Sequence, residues 1–205
     1  LVLRDDRQVC ARETGSDEMK AWLGRFVLGL GRWEAVGGIP DDPEAVIIAA
    51  PHTSNWDALW AIAYKLAVGL DVKWFAKHSA FWFPLGHLLR AFGAIDLNRE
   101  KAGTAVEEAI RLFDEKDSFY FALAPEGTRT KMPGWKTGFY RIATGANVPV
   151  YLGFLDFGKR QIGIGPAIHL SGDPEADLAV IREFYEGIEG RWPEKTSPIE
   201  FPDYS

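Results

Sequence analysis

One cysteine, Cys10, stands in the whole sequence. An intramolecular disulfide framework is therefore excluded, and the composition fits a reducing compartment. No apolar run reaches the roughly 18–20 residues that cross a bilayer, and no charged-then-apolar secretory signal opens the chain. The first residue is Leu1 rather than Met, which leaves room for an upstream segment. His and Cys nowhere cluster at ligand spacing, so no metal centre is expected. A basic stripe that would neutralise nucleic-acid phosphates is also missing, which excludes that partner class.

The charge that is present lies unevenly. The net charge is −6, yet residues 171–205 hold nine acidic and three basic groups while residues 1–170 hold twenty of each. The body is neutral and the tail carries the acidity. Aromatics are plentiful, with 8 Trp and 13 Phe in 205 residues, which suits a large apolar pocket or a face that meets lipid. The length suits one domain.

Between residues 18 and 33, Met19, Trp22, Leu23, Phe26, Val27, Leu30 and Trp33 recur at steps of three and four, the mark of one apolar helical face. Such a helix is expected to lie on the core. The sharper alternative is a helix in a membrane surface, with Lys20, Arg25 and Arg32 off the stripe. Strands are expected at 45–50, 72–76, 94–97, 118–123, 148–155 and 161–164. Helices are expected at 56–69, 79–92 (kinked or restarted at Pro84), 101–114, 138–145 and 174–190. An extended acidic arm follows. Alternating strands and helices indicate an α/β fold. The expectation is a single domain with a mostly parallel central sheet flanked by helices, plus the N-terminal amphipathic helix. Ligands in such sheets collect beyond the carboxyl ends of the strands.

His52 and Asp57 sit at such an end, in Pro51-His52-Thr53-Ser54-Asn55-Trp56-Asp57. A strand–loop–helix corner folds two residues of this spacing together, with Ser54 or Asn55 offering a cap oxygen to the helix. A helix N-terminus favours an ionised Asp57. A charged Asp accepting from one imidazole nitrogen leaves the other free to take a proton. Further on, Gly93-Ala94-Ile95-Asp96-Leu97-Asn98-Arg99 ends a strand with an arginine. Glu126-Gly127-Thr128-Arg129 combines a turn glycine, a hydroxyl and a planar fork of donors, which suits a phosphate. Glu126 cannot bind phosphate itself and is expected to orient Arg129 or a substrate hydroxyl.

These stretches resemble the glycerolipid acyltransferases, the glycerol-3-phosphate and 1-acylglycerol-3-phosphate acyltransferases. His52 to Asp57 is similar to their His-x4-Asp block. Gly93 to Arg99 resembles the second block, Glu126 to Arg129 the third and Val148-Pro149-Val150 the fourth. Lys77 falls where members commonly keep a lysine. The resemblance runs from about 45 to 170, leaving 171–205 as a C-terminal helix and acidic arm. Asp96, Asn98 and Trp135 depart from the usual residues, which bears on the acceptor rather than the reaction class.

The resemblance implies transfer of an acyl group from coenzyme A or acyl carrier protein to a lysophospholipid hydroxyl, 1-acyl-sn-glycerol-3-phosphate foremost. His52 would be the general base and Asp57 its partner. Arg99 and Arg129, with the Gly127 and Thr128 amides, would hold the acceptor phosphate, and Lys77 or a backbone N–H the thioester oxyanion. Neither cofactor nor metal is required, since the thioester is already activated. The implied setting is cytoplasmic, peripheral on the inner face of the cell membrane. The acyl chain would lie among some of Trp56, Trp60, Trp74, Phe75, Phe81, Trp82 and Phe83. Two other readings stay open: the same chemistry on another alcohol such as a sugar or amino lipid, and a lipid-binding module without catalysis.

Overall fold

The computed structural model describes residues 15–97 and 105–202. Among them are the strands β1 (Glu34–Val36), β2 (Glu44–Ala50), β3 (Val72–Lys77), β4 (Ala94–Leu97), β5 (Phe119–Leu123), β6 (Val150–Asp156) and β7 (Gln161–Ile168). The helices are α1 (Gly15–Leu30), α2 (Trp56–Val68), α3 (Leu85–Ala91), α4 (Ala105–Asp114), α5 (Gly138–Ala146) and α6 (Pro174–Tyr185). The strands form one sheet in the order β1-β7-β6-β2-β5-β3-β4. Every neighbouring pair is parallel except β6 with β7. The carboxyl ends of β2, β3, β4, β5 and β6 therefore share one edge.

The continuous apolar run of β2 reflects burial on both sides. Val46, Ile48 and Ala50 join Phe121, Phe139, Leu152 and Ile181 in the main core, while Ala45 and Ile47 join Leu70 and Val72 on the other side. A further apolar cluster packs Leu28 and Trp33 against Ala63, Tyr64, Leu155 and Ile162.

Most expected elements form within a few residues. The stretch at 79–92 is a 3-10 turn (His78–Ala80) followed by α3, which starts after Pro84. The helix expected to reach 190 ends at Tyr185, ahead of Gly187 in a left-handed conformation with φ +76°. β1 has no sequence signal, being three residues long and held by its parallel pairing with β7 and by the Tyr64 hydroxyl, which donates to the Val36 carbonyl at 3.2 Å.

One expectation is overturned in large part, and one is sharpened. Most of the stripe on α1 does not lie on the core: Met19, Trp22, Leu23, Phe26 and Leu30 are all exposed, Trp22 stacks on Phe26 at 5.4 Å, and of the seven only Val27 and Trp33 pack inward beside Leu28. The helix docks on α2 through Gly24 and Leu28 instead. A Cβ at Gly24 would stand 2.4 Å from the Ala67 amide nitrogen and 2.5 Å from the Ala63 carbonyl oxygen, so only glycine allows this approach. The extended C-terminal arm is docked along its length. The Trp135 amide donates to the Glu200 carbonyl (2.8 Å), the Met132 amide to Ser197 Oγ (3.0 Å) and Arg182 to the Ile199 carbonyl (3.0 Å). Ile199 and Phe201 pack on the main core. The tail is a strap, and apolar side chains rather than its acids decide its course.

Candidate active site

β2 ends at Ala50, and the loop after it turns into α2 with Asp57 in the first helical turn. Ser54 Oγ accepts from the Trp56 amide at 3.2 Å, while Asn55 makes no side-chain cap. The corner brings His52 Nδ1 to 3.1 Å from Asp57 Oδ2. The same oxygen accepts from the Ser54 amide at 2.8 Å. Asp57 is 2% exposed, and its Oδ1 is buried without a hydrogen-bond partner among the described residues. A buried carboxylate in a first helical turn is held by the helix dipole and by donors, here an amide and an imidazole. The His52 side chain remains 22% exposed, so the imidazole is not sealed in the core with its partner.

Glu126 takes a position that corrects the sequence expectation. Its side chain turns inward, only 1% exposed, and Oε1 accepts from the His52 main-chain amide at 2.7 Å. It anchors the base's backbone rather than orienting Arg129 or a substrate hydroxyl. Burial pushes its carboxyl up to about 7; the His52 amide and imidazole pull against that rise and the Asp57 charge adds to it.

Gly127 has φ +68°, the left-handed region in which glycine is unstrained. Its amide donates to the Ala124 carbonyl at 3.0 Å. That N–H is therefore engaged inside the turn and is not free for a phosphate, contrary to expectation. Thr128 Oγ1 lies 3.2 Å from Thr130 Oγ1, and Arg129 is exposed. Lys77 ends β3, exposed on the edge shared with His52. One strand, β5, lies between β2 and β3, so the two strands stand roughly 10 Å apart at ordinary strand spacing. Arg99 lies outside the described residues. Gly93, which opens its block, sits where a Cβ would meet the Val72 carbonyl oxygen at 2.6 Å and Lys65 Nζ at 2.9 Å. Lys65 donates to the carbonyls of Val72 (2.9 Å) and Phe92 (2.7 Å), which ties α2 to the β3–β4 link.

The candidate acyl-chain aromatics have different surroundings. Trp60 packs on Trp33 at 5.2 Å, Phe75 meets Phe121 edge-on at 4.8 Å, and Trp82 and Phe83 are exposed. Two residues missed in the sequence stand at the site instead. A cleft of about 250 Å³ opens beside Thr53–Trp56 and Arg129, and Arg191 and Lys195 of the strap line its other side. Their signal was faint: they are two of the three basic residues in an acidic tail.

With this geometry in place, comparison with known proteins decides the family. The acyltransferase family model matches residues 37–151, a span that holds every candidate residue read from the sequence. This chain belongs to the acyltransferase family. It is 25% identical over 199 residues to the 1-acyl-sn-glycerol-3-phosphate acyltransferase of Pseudomonas aeruginosa, covering 87% of this chain and 75% of the relative. Its fold matches the crystal structure of the 1-acyl-sn-glycerophosphate (LPA) acyltransferase PlsC from Thermotoga maritima. There the TM-score is 0.60 at 21% identity, over 86% of this chain and 80% of that one. The chain is thus an acyltransferase on an α/β fold with a mostly parallel seven-stranded sheet. Among the described residues no helix is long and apolar enough to cross a membrane.

Proposed function

We propose that this acyltransferase moves an acyl group from a thioester, on coenzyme A or acyl carrier protein, to the free hydroxyl of 1-acyl-sn-glycerol-3-phosphate. The observation that carries the mechanism is the 3.1 Å contact between His52 Nδ1 and buried Asp57. With Nδ1 donating to the carboxylate, Nε2 is the nitrogen left free to take a proton. It takes the proton from the acceptor hydroxyl as that oxygen attacks the thioester carbonyl. The carbon–sulfur bond then breaks, and the thiolate leaves with the proton returned from the imidazolium. Asp57 stabilises the imidazolium between these steps and holds the tautomer. Lys77, or a main-chain amide, stabilises the oxyanion on the thioester carbon. Arg129, with Arg99, holds the acceptor phosphate. The scheme uses no cofactor and no metal, because the thioester supplies the driving force.

Both substrates of this reading are amphiphiles, and the exposed apolar face of α1 suits a membrane surface as their source. Trp22 and Phe26 would enter the headgroup boundary, so binding would come from apolar insertion. The acidic tail would add nothing on an anionic bilayer. Thiol release from a long-chain acyl-CoA, with and without lysophosphatidate, tests the proposal. Lysophosphatidate-dependent release that vanishes in His52→Ala supports it. Equal release by wild type and His52→Ala refutes it.

A further inference from the structure

Arg191 and Lys195 lie outside every block read from the sequence, yet they line the cleft that starts at Thr53, next to the base. The strap holds them there by specific contacts. The Trp192 amide donates to Thr53 Oγ1 at 3.2 Å, and Thr53 itself is 1% exposed. A Cβ at Gly190 would stand 2.9 Å from the Thr53 side chain. The Arg191 guanidinium rests over the rings of Trp56 (5.5 Å), Trp192 (5.6 Å) and Phe157 (5.9 Å). Lys195 Nζ lies 5.7 Å from the Trp192 ring centre. Aromatic faces steady a guanidinium while leaving its N–H edge available.

The charge balance is the deciding point. Arg129, Arg191 and Lys195 all line this one cleft. Among the described residues, none of the three has a carboxylate partner in an ion pair. That holds although Glu189 and Glu194 flank them in the sequence and nine of the last 35 residues are acidic. Cations that line one cleft with no counter-charge among them repel one another and favour an anion that joins them. The apolar ring faces beneath Arg191 also displace water, which strengthens what its free edge binds.

We propose that Arg129, Arg191 and Lys195 form one binding site for the phosphate of a substrate, seated beside the catalytic base by the C-terminal strap. The inference rests on the acyltransferase reading above and adds two binding residues to it. Phosphate occurs on both substrates: as the monoester of the acceptor, and as the diphosphate and ribose phosphate of coenzyme A. Arg191 and Lys195 hold it as charge-assisted donors. The strap thereby couples tail docking to substrate affinity.

Arg191→Gln and Lys195→Gln in the full chain test this by equilibrium binding and steady-state kinetics with lysophosphatidate and with acyl-CoA. Affinity for one substrate is expected to fall about 10–100-fold, the usual consequence of losing a hydrogen bond to a charged group. Its KM should rise in step, with the loss on KM rather than kcat. A fall confined to lysophosphatidate makes the acceptor the source of the phosphate, and one confined to acyl-CoA makes it the donor. Affinities for both substrates within about twofold of wild type, in both variants, overturn the proposal. If Arg191→Gln unfolds through loss of its ring contacts, Lys195→Gln decides alone. Wild type that binds lysophosphatidate or acyl-CoA but never transfers would sink the acyltransferase reading while leaving this site standing. Intact transfer with unchanged affinities sinks only the site.

Discussion

The main-chain amide of His52 donates to Oε1 of Glu126 at 2.7 Å, across 74 positions of sequence. Through that bond the third block read in the sequence holds the backbone of the first. Glu126→Ala would release the His52 loop and is expected to lower kcat by about 10–10²-fold, since small misplacements of a reacting group cost that much. Glu126→Gln keeps an acceptor oxygen and should retain most activity. Acyl-transfer rates of the two variants, compared with their melting temperatures, separate positioning from stability.

The same carboxyl has a pH signature. Burial raises it to about 7 from an ordinary 4.5, so between those values the native state holds a proton that the unfolded chain has lost. Its contribution to stability is complete below the unfolded value and disappears as pH rises through about 7. Urea midpoints of wild type should therefore fall relative to Glu126→Gln as pH rises from about 5 to about 8. A constant difference across that range would rule the assignment out.

For the base itself, His52→Ala should reduce acceptor-dependent thiol release by about 10²–10⁴-fold, the usual worth of a positioned general base. Asp57→Asn keeps an acceptor for the Ser54 amide but removes the charge that supports an imidazolium. A loss of similar size is expected, with native circular dichroism retained. Stopped-flow or discontinuous thiol assays read both.

The two faces of α1 should respond differently. Trp22→Ser combined with Phe26→Ser alters exposed rings, so co-sedimentation with phospholipid vesicles should drop while the melting temperature barely moves. Gly24→Ala forces a methyl against the α2 backbone and should cost about 1–3 kcal/mol in a denaturant titration, in the range of overpacked sites. A large stability loss from the ring substitutions would show that the stripe is packed after all.

Local patterns carried much of this protein. Six consecutive residues, Ala45 to Ala50, read as a strand because apolar side chains without helical period suit burial on both faces of a sheet. The turn from Pro51 into α2 was legible from its cap residues, and with it the meeting of His52 and Asp57, because few bonds separate them. Periodicity located α1, but a helical period reports only that a helix has an apolar face and not what that face meets. Gly24 decided that, through backbone contacts with a helix some forty residues away.

The sequence alone determined the alternation of strands and helices, the His52–Asp57 pair and the loops that could hold an anion, since all are set by short-range chemistry. Tertiary structure decided what Glu126 grips, that the Gly127 amide is already engaged, and that Arg191 and Lys195 reach the cleft. Those outcomes depend on which distant segments pack together. Burial of Ile199 and Phe201 draws the tail back across the sheet edge, and nothing in the charge pattern of that tail encodes its destination.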